Sequence, residues 1–344
     1  MAVLDTEALR LSNIIASLQS LPLPQPILSL IQAVLAVSPS SIFRGCFTFA
    51  IIVILSLQLT PRLSRGLILD YGPRASGAKP AKQTPQGWFH DALKAVTTYG
   101  RIPHSWFNHF YVASVAGSVF WGLELLLGGG VVMRLLAEWE AFAHMAEGAG
   151  PGPASMSWEQ TVMAWGMLYV QGVRRLYECY FIMRPSKSEM WFVHYIMGMC
   201  FYVGIGLAVW IEGSQTILSP PETVAVANVL SLKHILGAVL FLYGWTQQAW
   251  CHRYLASLRK YTLPSEGLFK NIVCAHYFCE CLIYLGISVA AAPDGHWLNN
   301  TVGTALLFVF VNLASTANGT KAWYAEKFGR SKVAPKWRIV PFLF

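Results

Sequence analysis

Seven long apolar runs follow one another along this chain, and more polar segments of varied length separate them. Each run is long enough to cross a hydrocarbon core of roughly 30 Å as an α-helix. Backbone groups inside a bilayer must find hydrogen-bond partners within the protein, so lone apolar runs of this length form helices. The sequence therefore predicts an all-α integral membrane protein, a bundle of about seven transmembrane helices, at residues 42–60, 107–128, 160–182, 191–212, 226–250, 270–292 and 300–318.

The low content of charged residues supports this class. Only 12% of the residues are charged and 55% are hydrophobic, whereas about a quarter of the residues of a soluble domain are charged. The net charge of +8 does not indicate a nucleic-acid partner, because the basic residues lie where a membrane protein places them.

The distribution of basic residues predicts the orientation. Segments 61–106, 183–190, 251–270 and 319–344 contain 19 of the 25 lysines and arginines, and the alternate segments between spans contain only Arg134. Lysine and arginine near the ends of spans stay on the cytoplasmic side. We therefore expect a luminal N-terminus and a basic, aromatic C-terminal tail in the cytoplasm.

The chain reads as one membrane domain, residues 42–344, preceded by a luminal or interfacial lead, residues 1–41. Three prolines in the sequence LPLPQP interrupt the lead, which is either an interfacial helix or a poorly ordered segment. It lacks a basic region followed by a cleavage site, so no removable signal peptide is expected. The glycines and prolines within residues 127–153 predict a flexible luminal loop.

The third span carries polar residues on one helical face. Gln171, Arg174, Arg175 and Glu178 are spaced by three and four residues. Ionisable residues inside a span usually face a bundle interior and mark function. One interpretation is a structural ion pair between Arg174 and Glu178. The other is that one arginine pairs with Glu178 while the second meets an anionic ligand such as a phosphate.

The sixth span carries His276 and Glu280, again on one face. The histidine either pairs with its own glutamate or hydrogen-bonds to a polar cofactor group such as an amide or a ribose. A metal site is not expected, because Cys279 points elsewhere and the seven cysteines form no CxxC pair or zinc spacing.

The end of the fifth span places Gln248, His252 and Arg259 near one helical line at the cytoplasmic mouth. Basic residues here are either positive-inside anchors or part of a ring around a cytoplasmic opening, which would suit a ligand with a polyphosphate. The ring would consist of the basic tail together with Arg184, Lys187, Arg253, Arg259 and Lys260.

Several motifs resemble those of one membrane enzyme family. The ending WYxxKF…PKxRxxPFLF, the block YTLPSEGLF followed by AHYFCECLIY, and CHRYLASLRK are similar to the steroid 5α-reductase family. PHSWFNHFYVAS, LYVQGVRRLYECYF and SEMWFVHYIMG resemble its polyprenol/polyprenal reductase branch. The resemblance runs from about residue 100 to residue 344.

The resemblance implies a seven-helix enzyme that takes NADPH from the cytoplasmic side and reduces an activated carbon–carbon double bond. For this branch the substrate would be a long polyprenal in the endoplasmic reticulum membrane, whose α-isoprene unit is reduced to give dolichal for dolichol synthesis and protein glycosylation. The alternatives are a reductase of the same fold acting on a 3-oxo-4-ene steroid or an enoyl-thioester, and a non-catalytic isoprenoid lipid carrier. Transporters tend to show two related halves, and the sequence contains no internal repeat.

The resemblance also implies roles for individual residues. In the steroid branch a tyrosine precedes the third-span arginine as proton donor; Gly172 stands at that position here, and Tyr169, one turn earlier, is the expected catalytic donor. Thr320 and Lys321 replace the histidines that many members have before the tail tyrosine. The residues implied for the NADPH site are Arg175, Gln248, His252, Arg259, Tyr261, His276, Glu280, Tyr324 and Arg338.

Overall fold

The computed structural model describes residues 10–69, 87–127, 129–146, 155–184, 188–221, 231–259 and 261–344, and these are mostly helical. Lys187 and Lys260, two members of the expected basic ring, lie outside the described residues. Two short helices, α1 (Leu11–Ser20) and α2 (Gln25–Leu35), occupy the lead. Treating the lead as a separate luminal or interfacial segment stays a prediction.

Each of the seven predicted spans overlaps a helix in the described part of the chain. These are α3 (Pro39–Gln58), α6 (Asn108–Leu126), α8 (Trp158–Phe181), α9 (Phe192–Ile211), α11 (Leu232–Ser257), α12 (Ala275–Ala290) and α13 (Asn300–Phe328). The remaining helices of the described chain are short or amphipathic: α4 (Arg62–Leu69), α5 (Trp88–Thr98), α7 (Val131–Ala146), α10 (Ser214–Leu218) and α14 (Arg330–Val333).

Four helices in the described chain are long and apolar enough to cross a membrane: α3, α6 with the preceding 3-10 turn His104–Phe107, α9 and α13. The protein is thus an all-α, multi-pass membrane protein. Helices α8 and α11 carry the charged and amide side chains described below, and α12 has 16 residues. The count of seven spans and the cytoplasmic side of the tail stay predictions.

The expected luminal loop contains a helix, so the prediction of a flexible loop there was wrong for residues 131–146. Carboxylates hold this region together. Glu124 accepts from the backbone N–H of Met133 at 2.8 Å, and Glu140 accepts from the backbone and the hydroxyl of Ser40 at 2.9 and 2.5 Å. Carboxylates stabilise helix N-termini because those N–H groups lack partners within the helix. Glu124 therefore caps the N-terminus of α7, and Glu140 caps the N-terminus of α3.

Helices α11 and α12 pack with their backbones close together. A Cβ atom built on Gly237 would lie 2.7 Å from the amide nitrogen of Ala290, and one on Gly286 would lie 2.6 Å from that of Phe241. Small residues at such contacts let membrane helices approach one another. This contact fixes Gln248 and His252 of α11 relative to His276 and Glu280 of α12.

The C-terminal residues fold back onto the segment that precedes α12. Val273 and Cys274 donate their backbone N–H groups to the carbonyl oxygens of Trp337 and Arg338, at 2.8 and 3.0 Å. The ammonium of Lys336 donates to the carbonyl oxygens of Pro264 and Phe269, at 3.0 and 2.6 Å. We call this contact, between residues 264–274 and residues 336–338, the tail junction.

Candidate functional site

A cavity of about 230 Å³ lies between α6, α8, α9, α11, α12 and α13. One wall is apolar and includes Phe110, Phe201 and Phe308. Another part of the lining is unusually polar for the interior of a membrane protein. Its polar residues are His104, Tyr111, Arg175, His194, Tyr202, Gln248, His252, His276, Tyr277, Glu280, Tyr284, Asn312 and Thr316.

Two arginines of α8 share one carboxylate beside this cavity. Arg174 donates to Oε1 of Glu178, and Arg175 Nη1 donates to Oε2 at 2.5 Å. All three residues are buried. Both arginines therefore contact Glu178, which differs from the interpretation in which one of them is left for a ligand. The spacing of three and four residues on one helix produces this geometry.

Gln248 and His252 of α11 complete the same network. Gln248 accepts from Gln171 at 3.0 Å and from Arg174. His252 Nδ1 lies 2.7 Å from Glu178 Oε2 and 2.7 Å from Arg175 Nη1. We call Arg174, Arg175, Glu178, Gln248 and His252 the charge cluster. Buried charges are tolerated when they are paired and hydrogen-bonded. Each charged side chain of the cluster has such a partner, although Nε of Arg174 has none among the described residues.

The two predicted site residues of α12, His276 and Glu280, form no hydrogen bond with each other in the described structure. Glu280 accepts from the side-chain amide of Gln248, whose nitrogen also donates to the backbone carbonyl of His276 at 3.2 Å. Nδ1 of His276 is buried and has no hydrogen-bond partner among the described residues. Such an atom is rare in a folded protein and calls for a ligand or an ordered water.

Tyr111 of α6 connects the charge cluster to the cavity. Its phenol oxygen accepts from Nε of Arg175 at 3.1 Å and from Nη2 at 2.8 Å. The formal charges of the charge cluster and the cavity balance, because Glu178 and Glu280 offset Arg174 and Arg175.

The structure brings five of the expected cofactor residues to the cavity: Arg175, Gln248, His252, His276 and Glu280. Arg259, Tyr261, Tyr324 and Arg338 are not among its lining residues. Arg259 and Tyr261 are exposed, the latter with the Lys327 ammonium 3.6 Å from its ring centre.

Tyr324 and Arg338 are engaged near the tail junction. Tyr324 packs in an apolar cluster with Val273 and Ile339. Arg338 donates from Nε to Asn318 at 2.9 Å, and its guanidinium lies 4.9 Å from the ring centre of Phe344.

Tyr169, the expected donor, stacks on Trp165 with the ring centres 5.8 Å apart and is not among the cavity residues. Sequence reasoning gave no role to Tyr111, His104 or His194, which do line it. The signal was available, since the first two lie in PHSWFNHFYVAS and the third in SEMWFVHYIMG. In the described part of the chain, no group of three or more histidine, cysteine or acidic residues is arranged to hold a metal ion.

Comparison with known proteins adds an independent observation. The family model of 3-oxo-5-alpha-steroid 4-dehydrogenase matches residues 188–344, a range that contains α9, α11, α12 and α13. The chain is similar to polyprenal reductases from Xenopus tropicalis (31% identity over 264 residues, 71% of this chain and 80% of the relative) and Mus musculus (28% over 272 residues, 71% and 79%). It is also similar to polyprenal reductase 2 of Oryza sativa subsp. japonica, with 24% identity over 325 residues, 82% of this chain and 89% of the relative.

Proposed function

The chain belongs to the steroid 5α-reductase family and to its polyprenal reductase branch, and on that premise we propose that it reduces the α-isoprene double bond of polyprenal with NADPH. It is an oxidoreductase that acts on a CH–CH group. The observation that carries the proposal is the cavity, which joins a buried, charge-balanced polar wall to an apolar wall. A lipid with one polar reactive end has the same division.

The residues present fit a nicotinamide cofactor. When bound, NADPH supplies the hydride. His276 would bind the cofactor through its unpartnered Nδ1, and Glu280 and Gln248 would hydrogen-bond to its amide or ribose. At about 230 Å³, the cavity is smaller than the roughly 300–1,000 Å³ of typical small-molecule pockets. It suits the reacting ends of the two molecules, with the rest of the cofactor outside.

Exposed cations at the end of α11 would contact that outer part. Arg259 is exposed and lies two residues beyond the end of α11, the helix that carries Gln248 and His252. A guanidinium suits a phosphate because its donors are planar and paired. Tyr261, Tyr324 and Arg338 would act indirectly, by holding the residues around the tail junction in place beside the cofactor.

The chemistry of an α,β-unsaturated aldehyde matches the polar wall. An isolated alkene accepts a hydride poorly, whereas an enal passes the arriving electron pair to its oxygen. A fixed hydrogen-bond donor at that oxygen stabilises the developing charge, which is usually the largest catalytic contribution of a site of this kind. The isoprenoid chain would leave past the apolar wall into lipid, where each buried CH₂ contributes about 0.8 kcal/mol.

The product would be dolichal, on the route to dolichol and protein glycosylation. We place the enzyme in the endoplasmic reticulum membrane with a luminal N-terminus and a cytoplasmic C-terminus. In this orientation a water-soluble cofactor reaches the cytoplasmic mouth while the substrate stays in the bilayer.

Product analysis tests the proposal. The purified protein in lipid nanodiscs is incubated with NADPH and, in separate reactions, polyprenal, a 3-oxo-4-ene steroid and an enoyl-thioester. We expect the saturated aldehyde from polyprenal and no turnover of the other two. Turnover of the steroid or thioester alone would assign the other reductase activity, and no NADPH consumption with any substrate would favour a lipid carrier.

Cofactor binding is measured in the same preparation. We expect Arg259→Ala to weaken NADPH binding by about two- to fivefold, the effect of an exposed charge pair. Glu280→Ala, as a separate single variant, should weaken NADPH binding by a larger factor than Arg259→Ala does, because Glu280 lines the cavity. Lys94, an exposed basic residue of α5 outside the basic ring, supplies the control Lys94→Ala, which should bind NADPH like the wild type. Unchanged NADPH affinity in both Arg259→Ala and Glu280→Ala would contradict the proposed cofactor site.

A further inference from the structure

We infer that Tyr111 is the catalytic hydrogen-bond donor to the aldehyde oxygen of the substrate, an assignment that rests on the proposed function. Tyr111 lies on α6, is 4% exposed and lines the cavity. Its phenol oxygen accepts two hydrogen bonds from Arg175, at 3.1 and 2.8 Å.

These two contacts direct the phenol proton. A tyrosine hydroxyl can accept and donate hydrogen bonds, and the guanidinium occupies the acceptor side. The O–H bond therefore points away from Arg175. The ring of a second tyrosine of the cavity, Tyr202, packs edge-on against that of Tyr111, with the ring centres 5.3 Å apart. Tyr202 and Tyr284 also line the cavity, but no arginine donates to their oxygens within the described structure.

The packing of α6 against α8 explains why the donor comes from α6. A Cβ atom built on Gly172 of α8 would lie 2.8 Å from Oγ of Ser114, so α6 occupies the space that a side chain at position 172 needs. Tyr111 precedes Ser114 by one helical turn, and Arg175 follows Gly172 by one turn. The antiparallel contact thus pairs Ser114 with Gly172 and Tyr111 with Arg175.

Arg175 also gives Tyr111 the electrostatic support a donor needs. As the carbonyl oxygen of the enal becomes negative, the donor gains partial negative charge, and an adjacent guanidinium stabilises it. Glu178 holds Arg175 in place at 2.5 Å. A donor fixed by such partners needs no reorganisation when the charge develops.

A hydride from the reduced cofactor forms a C–H bond at the β-carbon, and the electron pair of the double bond moves to the carbonyl oxygen. Tyr111 donates a hydrogen bond to that oxygen and keeps its proton. Water then gives a proton to the α-carbon while the C=O bond re-forms. The enal is reduced and the cofactor is oxidised by two electrons.

Tyr111→Phe tests the assignment, with Tyr169→Phe as the competing variant. We expect Tyr111→Phe to lower kcat for polyprenal by about 10²–10³-fold, the effect of removing one such donor, with the Kd for NADPH changed less than about twofold. The kcat of Tyr169→Phe for polyprenal should fall by a smaller factor. Full turnover in Tyr111→Phe, or a large loss confined to Tyr169→Phe, would overturn the assignment.

A second measurement separates catalysis from packing. Difluorotyrosine placed at position 111 keeps the shape of the ring and makes the phenol more acidic. We expect the high-pH limb of kcat to move to lower pH, and a pH profile identical to that of the tyrosine enzyme would show a packing role. If the wild type reduces a different enal and not polyprenal, the proposed function fails while the same comparison still judges Tyr111 on that enal.

Discussion

The charge cluster and the tail junction both hold polar groups together, but they use different parts of the chain. In the charge cluster, side chains from α8 and α11 bond to one another. The carboxylate of Glu178 is within hydrogen-bond distance of three of them, those of Arg174, Arg175 and His252. At the tail junction the acceptors are backbone carbonyl oxygens, which receive backbone N–H groups and the ammonium of Lys336. The first arrangement concentrates charge where water is excluded, whereas the second leaves most of its charge at the surface.

This difference predicts that the charge cluster is the more fragile region. Removing a carboxylate from a buried network leaves its partners as uncompensated charges, while removing one donor at a partly exposed junction leaves carbonyl groups that water can reach. Three substitutions test the contrast, from the largest expected effect to the smallest.

Glu178→Gln should cause the largest loss. It leaves two buried arginines facing an amide, and breaking a buried pair in this way costs about 3–5 kcal/mol. Thermal unfolding in detergent measures the change. Glu189 is an exposed glutamate, so Glu189→Gln is the matched control and should unfold like the wild type. Equal unfolding temperatures for the two variants would mean that the charge cluster contributes no net stability.

Lys336→Met should have a smaller and more local effect. It removes the hydrogen bonds to Pro264 and Phe269. Hydrogen bonds to charged groups contribute about 1.5–3 kcal/mol. Partial burial lowers the pKa of Lys336, so desolvation offsets part of that gain and we expect the lower end of the range.

Hydrogen exchange is the appropriate measurement for Lys336→Met, because it follows individual segments. We expect faster exchange at the amides of Val273 and Cys274, which bond to the tail, and little change in α8. Lys332 is exposed and provides the control Lys332→Met. Faster exchange in α8 as well would show that the tail junction and the charge cluster form one cooperative unit.

The two regions also differ in how far the sequence predicts them. The spacing of Arg174, Arg175 and Glu178 predicts one helical face, and the structure places these residues together. The sequence does not predict the partners of Lys336, because a backbone carbonyl has no signature in the residue type. Arg338 is likewise assigned to the cofactor by resemblance alone, whereas its guanidinium in the structure contacts the side chains of Asn318 and Phe344.

Two other differences have related causes. Helix α7 lies between a run of glycines and a glycine–proline segment, which indicate a loop, but the 16 residues between them contain neither glycine nor proline. Tyr111 lies on a helix with no charged residue in its first turn, so the spacing of charged residues does not single it out as a site residue. Its role depends on which helix packs against α8, and that is tertiary information.

Gly172→Ala should have the smallest effect of the three, and it tests whether the charge cluster depends on that packing. The new Cβ atom would meet Oγ of Ser114 at 2.8 Å, so α6 or Ser114 must shift. Because the close atom is the end of a small side chain, we expect the lower end of the roughly 1–3 kcal/mol that overpacking costs. The helix propensity of alanine offsets about 0.5–1 kcal/mol of that cost, so the net loss is smaller than that of Lys336→Met. Gly166, on the same helix, has no atom within 4 Å of its Cβ position. Gly166→Ala should therefore stabilise the protein by about 0.5–1 kcal/mol through helix propensity.

Thermal unfolding of Gly172→Ala and Gly166→Ala should show changes of opposite sign in the unfolding temperature. Gly172→Ala should also lower turnover by moving Tyr111 relative to Arg175. The same sign for both variants would indicate that the contact between α6 and α8 is loose enough to accept a methyl group, and the charge cluster would then be set by its own side chains alone.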